Sequence, residues 1–577
     1  MPSRSGSVHV ATTSRQYKGK VYQTHLLRRT YRVGSQVKHE TLGNISHLPQ
    51  PLIEFIRRSL AGETFVPVTD AFQIQQSLPH GHVQAVLGTI RQLGLEEVIH
   101  SKPSRPRDLV VAMIAERLLH PCSKLATTRL WNTTTLGEEL AVADADEDEL
   151  YAALDWLLAR QRRIEQKLAQ RHLGEGSLVL YDVTSSYYEG HCCPLAQFGH
   201  NRDKKKDRPI IVYGVLTDGE GRPVAVEVYG GHTGDPTTVA DQVEKLRKRF
   251  GLVRVVLVGD RGMLTAAQIE KLKQHPGLGW VSALRGQAIR ELVDTGALQL
   301  SLFDEQNLAE IRSPAYPGER LMACYNPLLA EERERKRGEL LAATEKELTR
   351  ISKDIARRKR TPLKKDEIAL KVGAVLNRFK VQKHFALTIE DGLLRWSMRA
   401  ESIQREAELD GIYVIRTSEQ GASWSAADTV RRYKSLAQVE RAFRSLKGID
   451  LRIRPIYHRT PDHVRAHVLL CLLAYYVEWH MRRALASLMF DDEELPTDRQ
   501  RRDPVAPATA SLSAERKKRV RQTADGLPVH SFSTLLEALA TRTRNRCRLA
   551  SDPSGTTFQL LSSPTPLQAR AFQLLGL

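Results

Sequence analysis

Residues 178–189, Leu-Val-Leu-Tyr-Asp-Val-Thr-Ser-Ser-Tyr-Tyr-Glu, constrain this chain more than any other stretch. Four apolar residues run into Asp182, and Val183 and Thr184 follow. A run of branched and aromatic residues of that length predicts a buried central strand. An isolated carboxylate in such a strand is costly unless something pairs with it. The partner must be a metal ion, an arginine or a backbone donor. An aspartate that only caps a turn at the strand end is the plainer alternative.

The same pattern returns at 255–262, Val-Val-Leu-Val-Gly-Asp-Arg-Gly, where an apolar strand delivers Asp260 at its C-terminal tip. Strands are expected over 178–184, 209–217, 223–229, 253–260 and 280–284, with Asp218-Gly219-Glu220-Gly221 as a hairpin turn. Helices are expected over 237–250 and 265–274. The order β-β-β-α-β-α-β suits an α/β fold with an RNase H-like sheet. In such a sheet the first and fourth strands are neighbours. Asp182 and Asp260 then stand side by side, although 78 residues separate them. Two such carboxylates repel unless a cation lies between them. Oxygen-only ligation favours Mg²⁺ or Mn²⁺.

A third partner is sought on a helix beside these strands. Residues 433–447 read Tyr-Lys-Ser-Leu-Ala-Gln-Val-Glu-Arg-Ala-Phe-Arg-Ser-Leu-Lys. Glu440 and Lys447 share a helical face two turns apart, so one can reach a metal while the other reaches a phosphate ~10 Å further along. Arg444 extends the basic stripe, and Val439, Ala442, Phe443 and Leu446 face inward. Ser435 opens this helix as a capping residue and Gly448 ends it.

With these residues in place the chain resembles the DDE transposases of bacterial insertion sequences, in the subgroup whose hallmark is Y-(2)-R-(3)-E-(6)-K. Tyr433, Glu440 and Lys447 match the spacing, and Leu436 stands where the hallmark has arginine. Arg441 or Arg444 is left to replace that DNA contact. The stretches 410–417 and 454–459 look like the same group. The resemblance implies that Asp182, Asp260 and Glu440 hold two Mg²⁺ or Mn²⁺ ions, with Asp182 bridging them. One ion would activate water or a 3′-hydroxyl and the other would stabilise the leaving oxygen. It implies a transposase that cleaves transposon ends and joins their 3′-hydroxyls to target DNA. Tyr433, Arg441, Arg444, Lys447, Arg454 and Arg459 would contact DNA, with backbone contacts expected along Arg452, Arg454, His458 and Arg459. The partners implied are double-stranded DNA, as terminal inverted repeats and as target, and a second copy of the chain on that DNA. A nuclease of the same fold that cuts without joining, and an inactive DNA-binding derivative, are the alternatives.

Charge agrees with such a partner. The 577 residues carry a formal net charge of +19, which favours a polyanion. Residues 464–479 are the longest apolar run, and Arg465, His467 and Glu478 interrupt it, so no membrane association is expected. Residues 1–7 lack the apolar core of a signal peptide, and six cysteines in this length make no disulfide framework. A bacterial cytoplasmic protein, on the nucleoid when bound to DNA, is expected. His191, Cys192, Cys193 and His200 are a poor zinc set, because adjacent cysteines rarely ligate one ion.

Domains are expected as follows. Residues 1–65 form a β-rich lead-in, with strands over 21–33 and 37–42 and a helix over 52–60. Residues 66–172 form a helical region that recognises the transposon end. Residues 173–285 and 406–490 form the RNase H-like catalytic domain, and 286–405 is an insertion before the glutamate helix. The insertion holds a β hairpin at 308–325 and a charged helical hairpin over 331–383, which Pro362 breaks. Residues 491–577 form a linker, polar and mobile over 491–527, and C-terminal helices.

Overall fold

The computed structural model describes residues 6–63, 65, 71–205, 207–358, 360–549 and 555–577. The chain divides into two compact units. One comprises residues 1–77 and 544–562, the other residues 78–543 and 563–577. The expected boundary between a lead-in and a helical region falls beside residues 66–70, outside the described ones.

The smaller unit is built on β1 (Ser7–Tyr17), β2 (Lys20–Val33) and β3 (Gln36–Asn44), an antiparallel meander followed by the helix Gln50–Leu60. β1 had no expectation, because its polar sequence lacks alternation. β4 (Phe72–Pro79) forms a second sheet with two strands from the far end of the chain. This corrects the expectation that 66–172 is wholly helical. Phe72 and Ile74 sit at a period of two, the spacing of a strand face. Phe72 meets the Phe558 ring edge-on at 6.0 Å.

In the larger unit the helical region follows from residue 81. Residues 147–172 form two helices, Glu147–Leu158 and Gln161–His172. Then come β5 (Ser177–Tyr187), β6 (Ile210–Asp218), β7 (Pro223–Gly230), β8 (Val255–Val258) and β9 (Leu278–Ala283). β5, β6 and β7 are antiparallel, while β8 and β9 run parallel to β5. In the order β7-β6-β5-β8-β9, β5 and β8 are neighbours, as expected for the first and fourth strands. Gly214 on β6 permits close packing: a Cβ there would lie 2.2 Å from the Tyr181 hydroxyl.

The insertion extends this sheet instead of standing beside it. β10 (Leu308–Ile311) and β11 (Arg320–Tyr325) pair with each other, and β11 pairs with β14 (Ile412–Thr417), which runs antiparallel to β9. The result is an eight-stranded sheet. Between β11 and β14 the chain makes the helical hairpin Pro327–Arg357 and Lys365–Phe379, and then a separate hairpin of β12 (Phe385–Glu390) and β13 (Leu393–Met398). These have their own core around Leu348, Ile368 and Val372.

The helix Ala437–Lys447 packs on β5 and β6, and Pro461–Ala484 packs on β7 and on the helices Arg105–Leu119 and Glu147–Leu158. Among the described residues no helix is long and apolar enough to cross a membrane. Two strands, β15 (Thr543–Leu549) and β16 (Thr557–Leu561), complete the sheet order β16-β15-β4. The C-terminal region is thus not only linker and helices.

Candidate active site

The parallel pairing of β5 with β8 runs from Ser177 opposite Val255 to Leu180 opposite Val258. That register, carried two residues on, sets Asp182 beside Asp260. Neighbouring strands lie ~4.8 Å apart, and residues opposite one another share a face. Asp182 is half-buried and its Oδ1 accepts a hydrogen bond from the Val183 amide at 2.8 Å. Burial, offset in part by that bond and reinforced by the charge of Asp260, pushes its carboxyl up to about 7. Asp260 is exposed just past β8, and its Oδ1 accepts from the amides of Gly262 (3.0 Å) and Met263 (2.7 Å). It is therefore a turn cap, the plainer alternative, and stands where the functional reading also needs it.

Glu440 lies exposed in the first turn of the Ala437–Lys447 helix. Val439, Ala442, Phe443 and Leu446 are buried beneath it, as expected. Phe443 meets Tyr213 of β6 edge-on at 6.1 Å. Ser435 does not cap this helix: its hydroxyl donates to the Arg432 carbonyl at 2.5 Å, and Leu436 takes the cap position. Leu436 packs partly buried against the core, where the hallmark arginine would stand.

Tyr433 lies within electrostatic reach of the three carboxylates. Burial and the charges of Asp260, Glu440 and Asp182, opposed by Arg261, push its hydroxyl up to about 12. All three acids therefore act on one phenol, which stays protonated at neutral pH.

Lys447 and Arg454 are held together by a residue the sequence reading passed over. Asp203 accepts from Lys447 Nζ at 3.1 Å and pairs with Arg454 through the same oxygen, while its other oxygen accepts from the Tyr187 amide at 3.1 Å. The Asp203 side chain is only 3% exposed. Burial lowers the Lys447 pKa, and Asp203 opposes that. The one available signal was an acid set among cations in the run Asn-Arg-Asp-Lys-Lys-Lys-Asp-Arg at 201–208. Arg202 pairs with Asp235, and both charges are felt at Asp182.

Arg441, Arg444 and Arg459 are exposed. His458 is not placed to bind a backbone phosphate. Its ring packs against His467 (4.8 Å) and Tyr151 (6.0 Å), and burial with the nearby Lys124 charge lowers it to about 3. The loop that carries it is fixed to the end of β5 by the Glu189 amide on the Ile456 carbonyl (3.0 Å) and the Tyr188 hydroxyl on the His458 carbonyl (3.2 Å).

Behind the glutamate helix Glu478 is fully buried. It accepts from the Ser445 hydroxyl and, at 2.5 Å, from Arg482 Nε, while Arg482 also reaches Asp450 at 2.9 Å. This network ties Ala437–Lys447 to Pro461–Ala484.

Among the described residues no three His, Cys, Asp or Glu side chains are gathered closely enough to hold a metal ion. The donor chemistry does fit one. Three carboxylates without sulfur or imidazole suit a hard divalent cation, and the mutual strain of Asp182 and Asp260 is what a cation relieves.

Residues 174–477, more than half of the chain, match the model of the transposase DDE domain. The chain belongs to the DDE transposases. Residues 10–66 match the N-terminal domain of the IS1634 family transposases, so this is an insertion-sequence DDE transposase, an enzyme of the polynucleotidyl transferase and endonuclease class. No match is found among curated proteins. A distant likeness is seen to the piggyBac transposase synaptic complex with hairpin DNA, at 10% identity and a TM-score of 0.33. It covers 80% of this chain and 76% of that one. DDE transposase domains generally use divalent metal ions and act on DNA.

Proposed function

We propose that this transposase cleaves the ends of its element and joins the freed 3′-hydroxyls to target DNA. The observation that carries the reading is the β5–β8 register, which carries Asp182 and Asp260 to neighbouring positions at the C-terminal end of β8. In the first step water attacks an end phosphodiester, one P–O bond forms and one breaks, and a 3′-hydroxyl is released. In the second that hydroxyl attacks a target phosphodiester and displaces the target's own 3′-oxygen. Bond for bond the exchange is balanced, so no external energy source is needed.

Asp182, Asp260 and Glu440 are the side chains that would hold divalent ions, which we assign as two Mg²⁺ or Mn²⁺. Such ions supply Lewis acidity at the attacking and leaving oxygens. The Tyr433 hydroxyl, protonated throughout the working pH range, donates to a phosphate oxygen at the reacting end. Lys447 and Arg454, oriented by Asp203, and the exposed Arg444 and Arg459 hold neighbouring phosphates.

Charge supports end binding by the smaller unit more than by residues 66–172. Residues 1–77 with 544–562 carry thirteen Lys or Arg against five Asp or Glu, whereas 78–172 carry twelve against thirteen. DNA affinity is dominated by phosphate contacts, so the basic unit is the better candidate. The insertion's helical hairpin has seventeen basic residues against nine acidic over 331–383 and is assigned to shaping the bound end. Two ends must be paired, which favours a dimer on DNA, acting on the bacterial nucleoid in the cytoplasm.

The test is strand transfer of a labelled, pre-cut element end into plasmid DNA with Mg²⁺, comparing wild type with Glu440→Gln. Joined product in the wild type, reduced at least ~100-fold in the variant, is expected, since metal-held charge stabilisation contributes several kcal/mol. Cleavage without joining would turn the reading to a nuclease. A fully active variant would remove Glu440 from the site.

A further inference from the structure

Asp260 and Arg285 are joined by a single peptide group. The amide of Gly262 donates to Asp260 Oδ1 at 3.0 Å. The carbonyl of that same peptide, contributed by Arg261, accepts from Arg285 Nε at 3.4 Å. Arg285 stands just past β9, where the chain is tied to both of its neighbours. The Leu284 amide donates to the Val414 carbonyl of β14 at 2.8 Å, and the buried Ser282 hydroxyl donates to the Asp260 carbonyl at 3.2 Å. The ends of β8 and β9 thus carry Asp260 and Arg285 on one mount.

Arg285 is exposed, and among the described residues it has no ion pair. The contact with Arg261 uses its Nε, and its terminal nitrogens make no hydrogen bond among the described residues. No acid lies in the first turn of the helix Gly286–Asp294, which follows it. Arg290, further along that helix, does have a partner, Glu408 at 2.7 Å. A guanidinium held by its Nε presents its terminal nitrogens outward, and this fork fits two oxygens of a phosphate. Being held already, the side chain loses little freedom when an anion arrives.

We propose that Arg285 binds a backbone phosphate of the DNA strand processed at Asp182, Asp260 and Glu440. This rests on the proposed function. The C=O and N–H of a trans peptide point in opposite directions, so Arg285 and the Asp260 carboxylate stand on opposite sides of the Arg261–Gly262 peptide. The phosphate that Arg285 binds is therefore a neighbour of the reacting one. Arg285 stands on the β9 side of the carboxylates, whereas Lys447 and Arg454 stand further along β5, at Asp203 beside Tyr187. The strand is thus held on two sides of the bond that breaks. Arg285 has no part in the chemistry and acts by binding.

The experiment is fluorescence anisotropy of a labelled, pre-cut element end with the full chain, as a function of salt and without divalent ions. Arg285→Gln is the main variant, because glutamine keeps a donor for the Arg261 carbonyl and loses the charge. Thermal unfolding verifies that it folds. It is expected to bind about tenfold more weakly and to lower the slope of log affinity against log salt by about 1. Arg285→Lys keeps the charge and is expected to retain the wild-type slope. An uncharged methylphosphonate is then placed in turn at each phosphate beside the cleavage position. At one of them the wild type is expected to lose affinity while Arg285→Gln loses nothing further, since both changes remove the same contact. Wild-type affinity and slope in Arg285→Gln would overturn the proposal, and so would methylphosphonate losses that add in full to that of the variant at every position. Wild-type protein that shows no salt-dependent binding of the end would instead overturn the function on which the proposal rests.

Discussion

Replacing Asp203 by asparagine tests the link between the glutamate helix and the 449–460 loop. The carboxylate serves three donors: Lys447 Nζ and Arg454 on one oxygen and the Tyr187 amide on the other. An asparagine keeps one acceptor and turns a donor towards either the cations or the amide, so at least one buried donor is lost. Removing one partner of a buried pair costs about 3–5 kcal/mol. Two features reduce this here. The Arg454 side chain is 30% exposed, and Lys447, its pKa already lowered by burial, can shed its proton. The expected loss is about 2–4 kcal/mol, read as a fall in the urea midpoint followed by tryptophan fluorescence. The sharper result is the double change. Lys447→Met in the Asp203→Asn background removes the unpaired charge, so the double variant should be more stable than Asp203→Asn alone. If Asp203→Asn stays within about 0.5 kcal/mol of wild type, or if Lys447→Met adds its own cost in full, the carboxylate is not what holds these cations.

The Asp182 carboxyl, raised from 3.8 to about 7, gives a pH signature without divalent ions. Between those values the folded protein keeps a proton that the unfolded chain has released. Stability therefore falls as pH rises through this window, by up to about 1.4 kcal/mol per pH unit. Asp182→Asn should gain on wild type in thermal unfolding between pH 5 and 8, and parallel profiles would refute the shift. Glu478→Gln should lower stability by about 1–3 kcal/mol through its bonds to Ser445 and Arg482. It should also reduce strand transfer and leave the salt slope of DNA binding unchanged; an unaltered unfolding midpoint would show that the network contributes nothing. Replacing residues 544–562 by a short Gly/Ser linker should open residues 1–77 to limited proteolysis while 78–543 stay protected, and continued protection of 1–77 would refute the two-ended assembly.

Sequence made the catalytic sheet legible because its strands are buried on both faces. Runs such as Val-Val-Leu-Val at 255–258 cannot be confused with an exposed helix. Strand order then placed Asp182 beside Asp260, and apolar spacing placed Glu440 on the outer face of its helix. The rest depended on partners distant in the chain. Asp203 meets Lys447 across 244 positions, and nothing local marks it. β4 and β15 are polar strands that exist through each other, and β10 and β11 read as a free hairpin until β14 is seen beside them. At Ser435 the motif of a capping residue was present, but its hydroxyl turned back to the preceding helix instead.

The sheet that joins β4 to β15 and β16 makes the smaller unit a product of both ends of the chain. A ribosome that has made the first 77 residues has made only part of it; the remainder comes after residue 543 is complete. The catalytic sheet can assemble well before that. A chain stopped early by a frameshift or a nonsense codon would thus carry its carboxylates but lack an intact basic unit. If that unit grips element ends as proposed, completion of synthesis becomes a condition for gripping DNA, and abortive copies are kept from competing for the ends.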